Sequence, residues 1–327
     1  MTTRTQGLAG PAADGTVVTG ATAPRAAEDP RVAGRRDRYI ADVLALHDRL
    51  SLRGLVAQAE PLYLARRPDG LTVLAVRQSR LPERYRLMIY GFRLAQYLRL
   101  NFASDRVTHT RALFAEPAGP HGEEIHVIAL QESTGAILRY VSYIGTADRT
   151  PRPVTDPDRA PFPAEVAHGV KFFDHVPPDE PVLSSEVWEI KRLVQRASEL
   201  DGTVTQRLRI TLEMMLCFYS TLQQLDPAAK YLVGDGEEGL AIRRLTRSLK
   251  DITVIEGTSP SLPEDNVLFP CYVTRPVVKP FVARAPRGDE LAELVGWMQS
   301  ALSATDPLAG FKQLVGRVEG EVRRVRV

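Results

Sequence analysis

Hydrophobic and polar positions change their period several times along this 327-residue chain, and each change marks an element. Tyr39, Ile40, Val43, Leu44, Leu46 and Leu50 recur at helical spacing, which predicts a helix from about Arg38. Two apolar runs, Leu62–Ala65 and Thr72–Val76, flank Arg67-Pro68-Asp69-Gly70 and predict a hairpin. A helix should start near Leu81-Pro82-Glu83, with proline suited to its first turn, and run to about Phe102. A second hairpin is written as Ile125–Leu130 and Ala136–Gly145 around the polar turn Gln131-Glu132-Ser133-Thr134-Gly135. After a Pro-rich stretch over 147–181 comes a third strand of this block, Val187-Trp188-Glu189-Ile190-Lys191-Arg192-Leu193-Val194. An apolar helix over 204–225, a short strand Lys230–Val233 and a basic helix Gly239–Leu249 follow. The pattern then predicts strands at Thr253–Ile255 and Leu268–Thr274 and a helical section over 288–318.

Residues 1–36 contain no aromatic residue and are rich in Ala, Gly, Thr and Pro. Such a segment buries too little apolar surface to offset its ordering entropy and is expected to be disordered. The expected folded domain is 37–284, with its core at about 60–275, and 285–327 should be a helical extension packing on it. Strands in meander order combined with strand–helix–strand units imply an α+β or mixed α/β fold, a mixed sheet with helices on both faces.

Composition narrows the chemistry. Hydrophobic residues make up 44% and charged residues 25%, as in an ordinary soluble globular protein, and a net charge of +2 gives no argument for nucleic-acid binding. Two cysteines, Cys217 in the apolar helix and Cys271 in the late apolar run, fit a reducing cytoplasm better than a disulfide framework. The spacing of His109, His121 and His126 is wrong for zinc, so no metal site is expected. No apolar run is long enough for a membrane span, and the N-terminus lacks the basic-then-apolar order of a secretory signal.

Three stretches carry a resemblance. The helix LMIYGFRLAQYLRLNF is similar to an Arg-x-x-x-Phe helix, with Arg93 and Tyr97 at those positions and Phe102 near a following aromatic. The hairpin HVIAL–QESTG–AILRYVSYIG is similar to a second and third strand, and WEIKRLVQ is similar to a Trp-Glu-x-x-Arg-Phe-x-Val strand. Together, over about 60–275, they resemble the Gcn5-related N-acyltransferase fold, and within it the autoinducer (acyl-homoserine-lactone) synthases and N-acyl amino-acid synthases. The resemblance implies a bulged central strand that runs parallel to KYLVGD and splays from it, opening a slot for a thioester arm. It implies an N-acyltransferase that uses acyl-CoA or an acyl-phosphopantetheine as co-substrate, with no tightly bound cofactor. A small amine, with amino acids among the candidates, would be acceptor, and an acyl carrier protein is a candidate partner. A CoA-dependent N-acetyltransferase and a non-catalytic lipid- or peptide-binding module are the alternatives.

The chain departs from that pattern in places. The phosphate loop of CoA-dependent members is replaced by Gln195–Thr203 with one glycine and two acids, Thr246 stands near the position of a late tyrosine, and only Glu123 and Glu124 lie near an expected acidic pair.

By the resemblance, Glu189 and Arg192 are the candidate catalytic pair, brought to one cleft by the bulge. Glu189 would take a proton through water, and Arg192 would clamp a substrate carboxylate. The competing account is a structural salt bridge on the sheet. Arg93, Tyr97, Phe102 and Trp188 are candidate substrate-binding residues; Arg93 could equally be a solvated helix charge, and Trp188 a core residue. Leu193, Val194, Arg196 and Thr203 would meet the acyl donor. Arg207, Arg209, Arg243, Arg244 and Arg247 form either a basic rim suited to an acidic carrier protein or a solvated face. Cys217, among Met214, Met215, Leu216, Phe218 and Tyr219, reads as a buried thiol rather than a nucleophile.

Overall fold

A computed structural model describes residues 29–119, 121–196, 203–245, 249, 251–273, 278–304 and 322–327, together with 306, 309–310, 312 and 316. Helix α1 (Pro30–Arg49) starts where the Asp29 side chain accepts from the Arg31 amide at 2.8 Å and proline occupies the first turn. Helix α2 (Leu55–Gln58) leads into the hairpin of β1 (Pro61–Arg66) and β2 (Leu71–Arg77), closed at Gly70 with φ 80°. Helix α3 (Glu83–Arg99) and α4 (Asp105–Thr110) precede the second hairpin, β3 (Glu124–Gln131) and β4 (Ala136–Ile144). Two short helices, α5 (Pro163–His168) and α6 (Phe172–His175), lie before β5 (Val187–Gln195).

Next comes α7 (Val204–Leu222). Thr203 and Gln206 cap it reciprocally, the Thr203 hydroxyl accepting from the Gln206 amide and the Gln206 side chain from the Thr203 amide. Strand β6 (Tyr231–Glu237) runs into a π-helical turn (Glu238–Ile242) and α8 (Arg243–Leu245). The chain continues through β7 (Ile252–Glu256), α9 (Phe269–Val273), β8 (Val278–Arg284), α10 (Gly288–Ser303) and β9 (Val322–Arg326).

The nine strands among the described residues form one sheet in the order β1-β2-β3-β4-β5-β6-β8-β7-β9. Pairing is antiparallel except for β5 with β6 and β7 with β9. One face buries Trp188, Ile190, Val141 and Tyr143 against α7 and α10. The other buries Leu74, Val76, Ile128 and Tyr140 against α3, and farther along the sheet Val187, Val233 and Val282 against Phe162, Phe172 and Phe173 of the α5–α6 segment. Helix α3 is itself sandwiched. A Cβ on Gly91 would meet the ring of His47 of α1 at 2.0 Å, so only glycine lets the two helices approach this closely.

This is the mixed α/β sheet with helices on both faces that the element order implies, with corrections at four places. The tail expected over 1–36 extends too far, because α1 already begins at Pro30. The apolar run from Leu268 is helix α9, and the strand follows at Val278. The C-terminal section is not purely helical: it ends in β9, which adds to the sheet beside β7. The basic segment over 239–249 is a π-helical turn and one short helix, with 246–248 and 250 outside the described residues.

Candidate functional site at a forked strand pair

The sheet opens between β5 and β6. They pair in parallel from Val187↔Tyr231 to Ile190↔Gly234 and no farther, although β5 continues to Gln195 and β6 to Glu237. A Cβ at Gly234 would lie 2.8 Å from the Ile190 carbonyl oxygen and 3.1 Å from the Phe281 ring, so the fork closes on a residue with no side chain. On its other edge β5 is bulged. Tyr140 faces Val194 and Ser142 faces Lys191, so Arg192 and Leu193 together oppose Val141, and Arg192 has φ 63°. That kink turns Arg192 towards the α3 side of the sheet and leaves Leu193 56% exposed.

Under α3 lies a buried ionic network. Arg93 Nε donates to Glu116 Oε2 at 2.7 Å, and Nη1 donates to Glu124 Oε1 at 2.8 Å. Arg192 donates to Glu116 Oε1 from Nε at 2.8 Å and also from Nη2. Tyr90 reaches Glu124 Oε2 at 3.0 Å, Tyr140 reaches Glu124 Oε1 at 3.2 Å, and His126 Nδ1 bonds the Tyr140 hydroxyl at 2.7 Å. Burial would raise the Glu116 carboxyl, but Arg192 and Arg93 outweigh it and hold the group at about 2. Glu124 is likewise held well below its usual range against the pull of burial, chiefly by Arg93. Burial pushes His126 down to about 4, although Glu124 opposes it.

A second polar cluster lies on the same face at the fork itself. Lys191 Nζ is 2.8 Å from Glu189 Oε1, and Glu189 Oε2 accepts from the Ala164 amide of α5 at 3.1 Å. Across the fork, Tyr272 donates to Asp235 Oδ2 at 2.7 Å, and His168 Nε2 lies 3.5 Å from the same oxygen. The Pro-rich segment thus delivers α5 to both strands of the fork. That helix is set rigidly by Arg159, which grips both oxygens of Glu165 at 2.7 and 2.6 Å. Burial raises the Glu189 carboxyl and Asp235 adds to this, while Lys191 opposes it. Burial would also raise Asp235, but His168 and Lys191 bring it down to about 2.

The sequence-derived candidates are distributed as follows. Glu189 and Arg192 share a face, yet they sit in different networks: Glu189 pairs with Lys191 and Arg192 with Glu116. The edge of Arg192 expected to clamp a substrate carboxylate is taken by Glu116. Arg93 is not a solvated helix charge; it is 3% exposed and holds two carboxylates. Tyr97 lies 5.9 Å beneath the Arg192 guanidinium and 6.3 Å from the Phe102 ring. Trp188 points to the opposite face, edge-on to Tyr143 in the α7 core. Val194 is buried beside α3, Arg196 donates to the Ile137 carbonyl at 2.9 Å, and Thr203 is the α7 cap.

The acidic pair brought together is Glu116 and Glu124, not Glu123 and Glu124; Glu123 instead bonds Ser79. Lys191, Asp235, His168 and Tyr272 were also missed. The glycine-poor loop over 197–202, Thr246 and Arg247 lie outside the described residues. Of the basic rim, Arg209 pairs with Asp69 at 2.9 Å. Cys217 is buried, and burial pushes its thiol well up. Among the described residues no helix is long and apolar enough to cross a membrane.

A parallel pair that forks, a bulge opposite the fork and helices on both faces are the features that the sequence resemblance implies. No family model matches the chain, and no curated protein matches it. Among solved structures it is similar to the AHL synthase LasI, with TM-score 0.38 and 14% identity over 66% of this chain and 90% of that one. It is also similar to BjaI, a CoA-dependent acyl-homoserine lactone synthase solved with SAM and isopentyl-CoA (TM-score 0.37, 13% identity, 74% and 86% covered). A third is TofI, in a ternary complex with an inhibitor and MTA (TM-score 0.36, 14% identity, 67% and 94% covered).

Proposed function

We propose that this protein is an N-acyltransferase that moves an acyl group from a CoA or acyl-carrier-protein thioester to a small amine. The observation that carries the reading is the fork: β5 leaves β6 after Ile190, so among the described residues the backbone of β5 beyond it has no strand partner on that side. A thioester arm laid in the gap would meet those groups as a substitute strand, and a β5 amide could donate to the carbonyl oxygen. An ammonium acceptor first gives one proton to solvent at the mouth of the fork; its neutral nitrogen then attacks the thioester carbon, the C–N bond forms and the C–S bond breaks. The proton lost from nitrogen passes to Glu189, directly or through one water, and the departing sulfur is protonated in turn. A carboxyl raised by burial is a better proton acceptor than an ordinary one, which suits Glu189 to that task.

Orientation and electrostatics supply most of the rate in such a transfer, so no tightly bound cofactor is required. The buried Arg192–Glu116–Arg93–Glu124 network fixes the bulge that aims β5 into the gap. A cytoplasmic location agrees with two free cysteines.

The test is release of free thiol from acyl-CoA and acyl-carrier-protein thioesters of graded chain length, with and without a panel of amines. Amine-dependent release is expected, and Glu189→Gln should slow it on the order of 100-fold with the melting temperature little changed. A protein that retains acyl chains but releases thiol from no donor would be a binding module instead. Tight binding of acetyl-CoA in calorimetry would point to a CoA-dependent acetyltransferase.

A further inference from the structure

Beyond Glu189, the fork holds polar groups that the transfer step does not use. Asp235 is the first β6 residue past the last paired position, Gly234, and Lys191 is the first β5 residue past Ile190. Two carboxylates, Glu189 and Asp235, therefore face one lysine across the opening, and Lys191 is already committed to Glu189 at 2.8 Å. Asp235 is held on one oxygen only, by the Tyr272 hydroxyl at 2.7 Å; its Oδ1 makes no hydrogen bond among the described residues, and its side chain keeps 10% exposure. His168 supplies a second, independent sign. Its ring is buried, Nδ1 bonds the Thr258 hydroxyl at 2.9 Å, and Nε2 lies 3.5 Å from Asp235 Oδ2, its nearest carboxylate oxygen, without making a hydrogen bond. Unbonded buried polar atoms are uncommon, and one facing a half-satisfied carboxylate suggests a site completed by a ligand.

We infer that Asp235, set by Tyr272 and His168, binds the acceptor's cationic amine at the mouth of the fork, and that the acceptor class is amines without a free carboxylate. The second half follows from the arginines. An amino acid needs a guanidinium for its carboxylate, but Arg192 spends Nε and Nη2 on Glu116, and Arg93 spends Nε and Nη1 on Glu116 and Glu124. A carboxylate entering the fork would instead meet Glu189 and Asp235, where like charges repel. The inference rests on the acyl-transfer reading only for the fate of the bound amine; binding is separable from it.

The experiment therefore measures both, using the pairs phenylalanine and phenethylamine, leucine and isopentylamine, and ornithine and putrescine. Calorimetry on the full chain should show at least one of the three amines binding at least 10-fold more tightly than its parent amino acid. Asp235→Asn should weaken that amine roughly 10- to 100-fold, the range for losing a charge-assisted hydrogen bond. Tyr272→Phe, which keeps the ring, should weaken it by a smaller factor, and so should His168→Gln. In the thiol-release assay the same variants should raise the acceptor KM while leaving the donor KM unchanged, a split that mere loosening of the fold would not give. Binding that follows this pattern without any thiol release would uphold the cation site and sink the acyl-transfer reading. Preference for the amino acids, absence of binding by all three amines, or an Asp235→Asn protein that is folded and binds amine normally would overturn the site.

Discussion

The two polar clusters on this face of the sheet are built from similar residues and solve opposite problems. Under α3, two arginines meet two glutamates, and Tyr90 and Tyr140 take up further lone pairs of Glu124. Its glutamates are held well below the usual carboxylate range. At the fork, two carboxylates share one lysine, Glu189 is pushed up, and His168 Nε2 has no hydrogen bond. The first cluster is closed and fixes a strand bulge. The second is left short of a cation, and incomplete satisfaction at a buried site is where a protein keeps its function rather than its stability.

Removing the central cation from each cluster is the strongest way to break this contrast. Arg93→Met leaves Glu116 and Glu124 buried with much of their partnering gone, and loss of one member of such a buried network costs roughly 3–5 kcal/mol. Lys191→Met should cost less, about 2 kcal/mol, because Glu189 is already raised and can take up a proton instead. Denaturant unfolding of both variants at pH 7 checks the order. A larger loss at Lys191 would make the fork cluster the structural one.

Acid sharpens the same contrast. An ordinary histidine titrates near 6.5, whereas burial holds His126 at about 4. As pH falls from about 6.5 towards 4 the unfolded chain gains a proton that the folded one refuses. Stability is therefore full above about 6.5 and declines through that window, by roughly 3 kcal/mol from this residue. Glu116, depressed to about 2, contributes stability above its ordinary value of 4.5 and loses it only as pH falls from there towards 2. The expected result is a first acid-induced loss between pH 6.5 and 4.5 that His126→Gln reduces, leaving the part contributed by His47, which burial also lowers. Stability independent of pH over that range in the parent protein would show that His126 is charged in the fold.

The two hairpins were legible because each pairs apolar runs with a turn whose glycine must adopt positive φ, at Gly70 and Gly135. The fork was legible only through the WEIKRLVQ resemblance, since strand divergence leaves no periodic mark. The start of α1 was missed because Arg31, Arg35 and Arg38 are polar; Asp29-Pro30, a cap followed by a first-turn proline, was the signal available. The LFPCYV run reads as a strand because it is short and apolar, yet it forms helix α9, and Pro270 inside it argues against a strand. Strand β9 was missed because VRRVR is short and mostly charged. Glu116 gave no local sign: it lies in a loop, and its importance arises only when the bulge turns Arg192 and α3 turns Arg93 towards it. Asp235 and His168, far apart in sequence, meet only across the fold.

The smallest effect expected concerns Tyr97, which separates scaffold from substrate contact in the α3 cluster. Its ring lies 5.9 Å from the Arg192 guanidinium, and the described contacts give its hydroxyl no hydrogen bond. If Tyr97 serves the network, the ring face matters and the oxygen does not, because attraction of a guanidinium to an aromatic ring comes from the π-system. Tyr97→Phe should then change stability by less than about 0.5 kcal/mol, within the usual range of neutral changes. Tyr97→Leu should cost about 1–2 kcal/mol through the lost cation–π contact and ring packing. Neither should change the acceptor KM beyond the effect of stability. A Tyr97→Phe protein of unchanged melting temperature but raised acceptor KM would give the hydroxyl a substrate to bind. The α3 cluster would then be part of the site and no longer only its support.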